Sequence, residues 1–233
     1  MKKLTLLTLL SAFFAFAPAA HAVVYTGELH TTDGVEGSGI WQDNFKISWE
    51  VASQLDGSWK YTYRLTETDG SVLEPGAVSH WIIEISPNAA DANFWGFQGN
   101  HEIATYSVDS NGKSNPNMPG PLYGLKLDYT ATEYSFFSNK VPVWGDFYGK
   151  DGKAAGKGDN AAWNADYLLA DPTAAAQSGL LAKSGGGYYY KLLRPDSLTT
   201  TSGPTPSAPE PTTIFLVATG LLGAGFTRRF KKN

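Results

Sequence analysis

Asn44 to Thr66 reads NFKISWEVASQLDGSWKYTYRLT. In its first half Phe45, Ile47, Trp49 and Val51 alternate with Lys46, Ser48 and Glu50; in its second, Trp59, Tyr61, Tyr63 and Leu65 alternate with Lys60, Thr62 and Arg64. Successive side chains of a strand point to opposite faces, so a period of two gives each half one apolar and one polar face. Asp56-Gly57 lies between the halves and supplies a turn. The stretch predicts an antiparallel hairpin with one buried and one wet face.

Working outward, the same enrichment in aromatic and β-branched residues predicts strands at Val23–His30, Val78–Ser86, Ile103–Val108, Tyr123–Tyr129, Glu133–Ser138, Val143–Tyr148 and Gly187–Leu193. Seven or more short strands with turn signals between them predict an all-β fold, an antiparallel β-sandwich of jelly-roll type. An antiparallel barrel is the second architecture the pattern allows. Gly149 to Asn160, GKDGKAAGKGDN, predicts a loop, because its glycines and alternating charges leave nothing to bury. Asp171-Pro172 could open a helix running to Lys183, with Asp171 as its cap, but Asp-Pro-Thr also opens turns and the apolar positions form no wide stripe.

Both ends of the chain differ from this middle. Lys2 and Lys3 precede the apolar stretch Leu4 to Ala17, and Ala20-His21-Ala22 has the small-x-small pattern of a signal peptidase site. This predicts a cleavable signal peptide over 1–22, with Ala20 and Ala22 in the peptidase pocket and Val23 as the mature N-terminus; a retained N-terminal membrane helix is the alternative. At the other end Pro209-Glu210-Pro211 is followed by an uncharged apolar run, 212–227, and a basic tail containing Arg228, Arg229, Lys231 and Lys232. Sixteen helical residues reach only about 24 Å, short of a hydrocarbon core of about 30 Å, so the predicted transmembrane helix engages a membrane but anchors poorly. The basic tail favours a cytoplasmic C-terminus, with the preceding chain outside.

Between them, 23–198 predicts one domain with a core of its own, and 199–208, TTTSGPTPSA, predicts an extended tether. From Val23 to Pro209 there are 12 Lys and Arg against 21 Asp and Glu, a net −9 compared with −4 for the whole chain. Such a surface repels nucleic acid, and no basic stripe offsets it. The chain has no Cys, which excludes a lipid-modified cysteine, disulfides and thiol catalysis.

The tail resembles that of PEP-CTERM proteins, a group defined by a Pro-Glu-Pro triplet, a membrane segment and an Arg-rich end in that order. The resemblance covers 209–233 alone. It implies a sorting role for Pro209, Glu210, Pro211, Arg228 and Arg229 and processing by an exosortase, a membrane-embedded protease-transpeptidase of double-membraned bacteria that often make exopolysaccharide. It says nothing of the domain that precedes the tail.

Chemistry is sparse. Ser38 in Gly37-Ser38-Gly39 lacks the spacing of a nucleophile elbow, and His30, His80 and His101 form no zinc-binding pair. Glu50, Glu84 and Glu133 fall on predicted strands, with Glu50 on a polar face and no run that sets several acids side by side. Without two converging acids there is no division of labour between acid and base, so no enzyme is expected. No cofactor is expected either; calcium is the one ion the pattern allows, through Asp146, Asp151, Asp159, Asn160 and Asp166, although their spacing is irregular and Lys150, Lys153 and Lys157 oppose it. Of the 25 aromatic residues between Val23 and Pro209, Trp49, Trp59, Trp81 and Trp144 fit strand interiors. Trp95, Tyr188 and Tyr190 are the candidate ligand contacts, since sugars offer apolar faces to such rings. The sequence thus predicts an exported, non-enzymatic envelope or matrix protein, with exopolysaccharide as a partner; a carbohydrate-binding, lectin-like module or a secreted carbohydrate-active enzyme is the competing reading.

Overall fold

Alternation in the Asn44–Thr66 stretch becomes two strands, and eleven in all form two sheets that enclose its apolar face. The computed structural model describes residues 22–73, 78–110, 113–129, 131–152 and 160–196, all within one compact unit, Ala22–Gly203. In chain order the strands are β1 (Val24–His30), β2 (Val35–Ser38), β3 (Lys46–Ser53), β4 (Trp59–Thr66), β5 (His80–Glu84), β6 (Phe94–Trp95), β7 (Asn100–Tyr106), β8 (Asp109–Ser110), β9 (Lys113–Ser114), β10 (Leu122–Asp128), β11 (Glu133–Ser138), β12 (Pro142–Gly145), β13 (Phe147–Lys150), β14 (Ala161–Asn164) and β15 (Leu192–Pro195). One sheet has the order β1-β3-β4-β11-β6 and the other β2-β14-β13-β5-β10-β7; β12-β15 and β8-β9 are two-stranded ladders. Every ladder is antiparallel, and the sheets face one another as a sandwich.

The predicted hairpin is β3–β4, in register Trp49↔Tyr63 and Val51↔Tyr61. Ile47, Trp49, Val51, Tyr61, Tyr63 and Leu65 are buried, whereas Glu50, Lys60 and Arg64 are exposed. Tyr63 meets Trp81 of the second sheet with ring centroids 4.4 Å apart, and Trp49 meets Trp144 edge-on at 6.5 Å. Strand β5 is buried on both faces: Trp81 and Ile83 join this core, while Ile82 joins a second cluster with Tyr106, Met118, Leu122, Tyr148 and Tyr167 on the other side of the sheet. The outer face of the six-stranded sheet is therefore largely covered, and that of the five-stranded sheet is open.

Several expectations are corrected. Val143–Tyr148 is two strands in different ladders, broken at Asp146, whose side chain turns inward to partners described below. The strand expected over Gly187–Leu193 begins only at Leu192, because Gly185 and Gly186 take positive φ (100° and 90°) and turn the chain; Tyr188 keeps only an isolated bridge to Ala182. Gly149 and Lys150 continue β13 instead of opening a loop; 153–159 lie outside the described residues. No helix forms over 171–183. There Gly179 has φ 78° and donates its N–H to Thr26 of β1, so the segment bonds outward to an edge strand instead of to itself. Strands β2, β6 and β14 carry too little alternation to be read from sequence. Among the described residues no helix is long and apolar enough to cross a membrane; 212–227 and the expected signal peptide, apart from Ala22, lie outside them.

Candidate functional site

Alternation on β1, β3 and β4 sets Thr26 and Glu28, Ser48 and Glu50, and Thr62 and Arg64 on the open face of the five-stranded sheet, in the rows Thr26↔Glu50↔Thr62 and Glu28↔Ser48↔Arg64. These six, with Gly27 and Trp49, line a groove of about 370 Å³. Gly27 has a packing reason: a Cβ there would lie 2.2 Å from Cζ2 of Trp49, so the missing side chain lets the indole reach beneath β1. Arg64 Nε donates to Glu133 Oε2 at 2.6 Å across β4–β11, an exposed pair at the rim. Two rows away Lys60 faces Phe137, which faces Trp95. Trp95 is 40 % exposed and stacks on Phe137 with planes 12° apart.

The three aromatic candidates do not converge. Trp95 lies on β6, the outermost strand at one edge of the five-stranded sheet. Tyr188 is exposed, and Tyr190 packs where a Cβ on Gly34 would be, beside Leu29 at the end of β1, the opposite edge. Lys183 lies over the rings of Tyr189 and Tyr190, 5.1 and 5.8 Å from their centroids.

Carboxylates do converge, contrary to the expectation from sequence. Glu84 ends β5, Asp146 sits between β12 and β13, and Asp171 lies in the segment after β14; their oxygens come within 4.8 Å of one another. Two buried cations from the last strand region hold them. Lys191, whose side chain is 0 % exposed, donates to Asp146 Oδ1 at 2.6 Å and to the Leu169 carbonyl at 2.7 Å, and lies 3.2 Å from Asp171 Oδ1. Arg194 donates through one terminal nitrogen to Asp171 Oδ2 (2.9 Å) and Glu84 Oε1 (3.4 Å), and through the other to Ser86 Oγ and the Pro195 carbonyl (both 3.4 Å). Asp146 also accepts from Asn164 Nδ2 (2.6 Å) and the Leu168 N–H (3.1 Å), while Glu84 accepts from the Asp146 N–H (2.8 Å). Burial pushes the carboxyls of Glu84 and Asp146 above their ordinary range, against the pull of Arg194 and Lys191 respectively. A sequence clue existed: KLLRPD, 191–196, puts two cations into an apolar strand run.

The set considered for calcium is not assembled. Asp151 accepts from Asn160 Nδ2 at 2.6 Å, Asp166 pairs with Lys183 and accepts from the Tyr190 N–H, and Asp146 belongs to the cluster above; Asp159 is outside the described residues. The histidines are also dispersed. His30 contacts Thr32, and His101 pairs with Asp91 while stacking on Phe97. His80 is buried at 2.9 Å from Asn115 Oδ1. Asn115 uses its NH₂ on the Ser107 carbonyl, which assigns His80 Nε2 as the donor.

Of the sorting and processing residues only Ala22, which is exposed, falls within the described part; Ala20, Pro209, Glu210, Pro211, Arg228 and Arg229 lie outside it. The family model of the PEP-CTERM protein-sorting motif matches residues 207–229. No curated protein and no solved structure matches the chain. A PEP-CTERM motif at this position implies exosortase processing and export to the cell envelope or surface.

Proposed function

We propose that this chain, bearing a PEP-CTERM sorting motif, is an exported protein of the cell envelope or extracellular matrix whose β-sandwich is a non-catalytic surface module. The motif at 207–229 carries the reading. A signal peptide over 1–22 opens the chain and signal peptidase releases it; Val23 donates its N–H to Ser53 Oγ and accepts from the Ser53 N–H, so the fold takes hold one residue beyond the cleavage site. The membrane segment 212–227 holds the chain until exosortase acts. The absence of catalysis is supported by the acids that do converge: Glu84, Asp146 and Asp171 are engaged by Lys191 and Arg194. The test replaces Pro209, Glu210 and Pro211 with Ala and keeps the apolar run. Expected is unprocessed protein retained in the membrane; processing and release like wild type would sink the sorting role of the triplet.

One observation favours a second reading, a carbohydrate-binding module. The open face of the five-stranded sheet carries a groove with hydroxyl, carboxylate and guanidinium groups and, further along, the exposed Trp95 stacked on half-buried Phe137. Hydroxyls and carboxylates suit the hydroxyls of a neutral polysaccharide, and a flat indole suits the C–H face of a sugar ring. Extracted envelope polysaccharide should then be retained by the 23–208 domain and lose most of that binding on Trp95→Ala or Thr62→Arg. Equal retention by all three proteins would leave the face without this role.

A further inference from the structure

Lys191 and Asp146 flank the same end of the β12–β15 ladder. Gly145 pairs with Leu192 at the end of the β12–β15 ladder, and Asp146 and Lys191 lie just beyond that last pair, where their side chains meet at 2.6 Å. Both are buried, at 0 % and 5 % side-chain exposure. Charges in such a place lack hydration, and three carboxyl groups, Glu84, Asp146 and Asp171, face two cations there. Two features go beyond a simple ion pair. A second carboxylate, Asp171, reaches the same nitrogen, and the carboxyl of Asp146 receives independent N–H donors on both oxygens, Asn164 Nδ2 on Oδ1 and Leu168 N on Oδ2.

We propose that Lys191 and Asp146 condense to an intramolecular isopeptide bond. Asp171 takes a proton from the Lys191 ammonium, freeing its lone pair. That lone pair attacks Cγ of Asp146 in its acid form, whose uptake of a proton is favoured by the burial that raises its carboxyl. The new C–N bond forms as the C=O pair moves onto oxygen, where the Asn164 and Leu168 N–H groups stabilise the developing charge. Asp171 passes protons from nitrogen to the departing oxygen, the C–O bond breaks and water leaves. The water carries the acid proton of Asp146 and one of the three ammonium protons, a second ammonium proton stays on the amide nitrogen, and the third remains on Asp171, which releases it to solvent. No oxidant, reductant or other reactant is needed. The product replaces two buried charges by a neutral amide, and fixed proximity supplies the rate that free amine and acid lack in water. Lys191 is the nucleophile, Asp146 the electrophile, and Asp171 the proton carrier.

Mass spectrometry of the purified full-length chain decides it. Wild type should be one water lighter than its sequence, and proteolysis should yield a branched peptide joining the segments that contain Asp146 and Lys191. Lys191→Arg should have its sequence mass and no branched peptide. Asp171→Asn should accumulate the unlinked form in protein that retains wild-type circular dichroism. A wild-type chain of unmodified mass with separate peptides overturns the bond, whether or not either variant folds. A fully linked Asp171→Asn overturns the assignment of the proton carrier.

Discussion

At the scale of single residues, His80 gives the clearest dependence on pH. Burial, with Lys126 adding to it, lowers its imidazole from 6.5 to about 4, so the fold carries the ring neutral. A lowered folded value means that the contribution to stability is complete above the unfolded value and is lost as pH falls through the folded one, about 3 kcal/mol in all. Glu84 acts in the opposite sense: its raised carboxyl favours folding in acid, and that contribution is lost as pH rises through it. Wild type minus His80→Gln isolates the histidine, and the urea-derived stability difference should shrink between neutral pH and about pH 4; a constant difference would show that the ring is not held neutral. Trp49→Ala should cost about 3–5 kcal/mol, whereas Lys60→Ala, on the wet face of the same hairpin, should cost little. Gly27→Ala should cost about 1–3 kcal/mol by forcing a methyl into the Trp49 ring, and equal denaturant midpoints for it and wild type would mean that the indole has room to move.

At the scale of elements, legibility followed alternation. Strands β1, β3, β4, β10 and β11 combine apolar periodicity with aromatic or branched residues, β5 is a continuous apolar run, and all six lie where the sequence places them. Strand β14 reads Ala-Ala-Trp-Asn, and Phe94-Trp95 is two residues long; neither has a period to detect, and both exist because a neighbouring strand supplies the ladder. The candidate site was the least legible part. Glu84, Asp146 and Asp171 are far apart in sequence, and only the break of one run into β12 and β13 turns Asp146 toward Lys191. Strand β15 is the element on which this depends. Leu192 and Leu193 are fully buried, and the Leu193 carbonyl accepts from the Tyr63 hydroxyl at 2.7 Å. A chain ending at Lys191 should therefore lose cooperative unfolding and near-ultraviolet circular dichroism, while one ending at Ala208 should keep both; a cooperative melt for the shorter chain would show that β15 is dispensable.

At the scale of the whole molecule, folding and sorting are carried by separate lengths of chain. The described core closes between Val23 and Asp196, and the matched motif begins at residue 207. A chain ending at Ala208 should fold with β-rich circular dichroism, stay monomeric at low concentration under its net regional charge, and be released by cells instead of held at the envelope; association or retention would mean that the tail does more than address the protein. The bonding of β1 has a further consequence. Thr26 would present an unpaired N–H and C=O at the sheet's end, but its carbonyl accepts from Gly179 and its N–H donates to Ser178 Oγ. At the other end β6 offers only two residues. Backbone pairing of a neighbouring copy onto the five-stranded sheet is therefore interrupted at both ends, in the middle of β1 and after the two residues of β6.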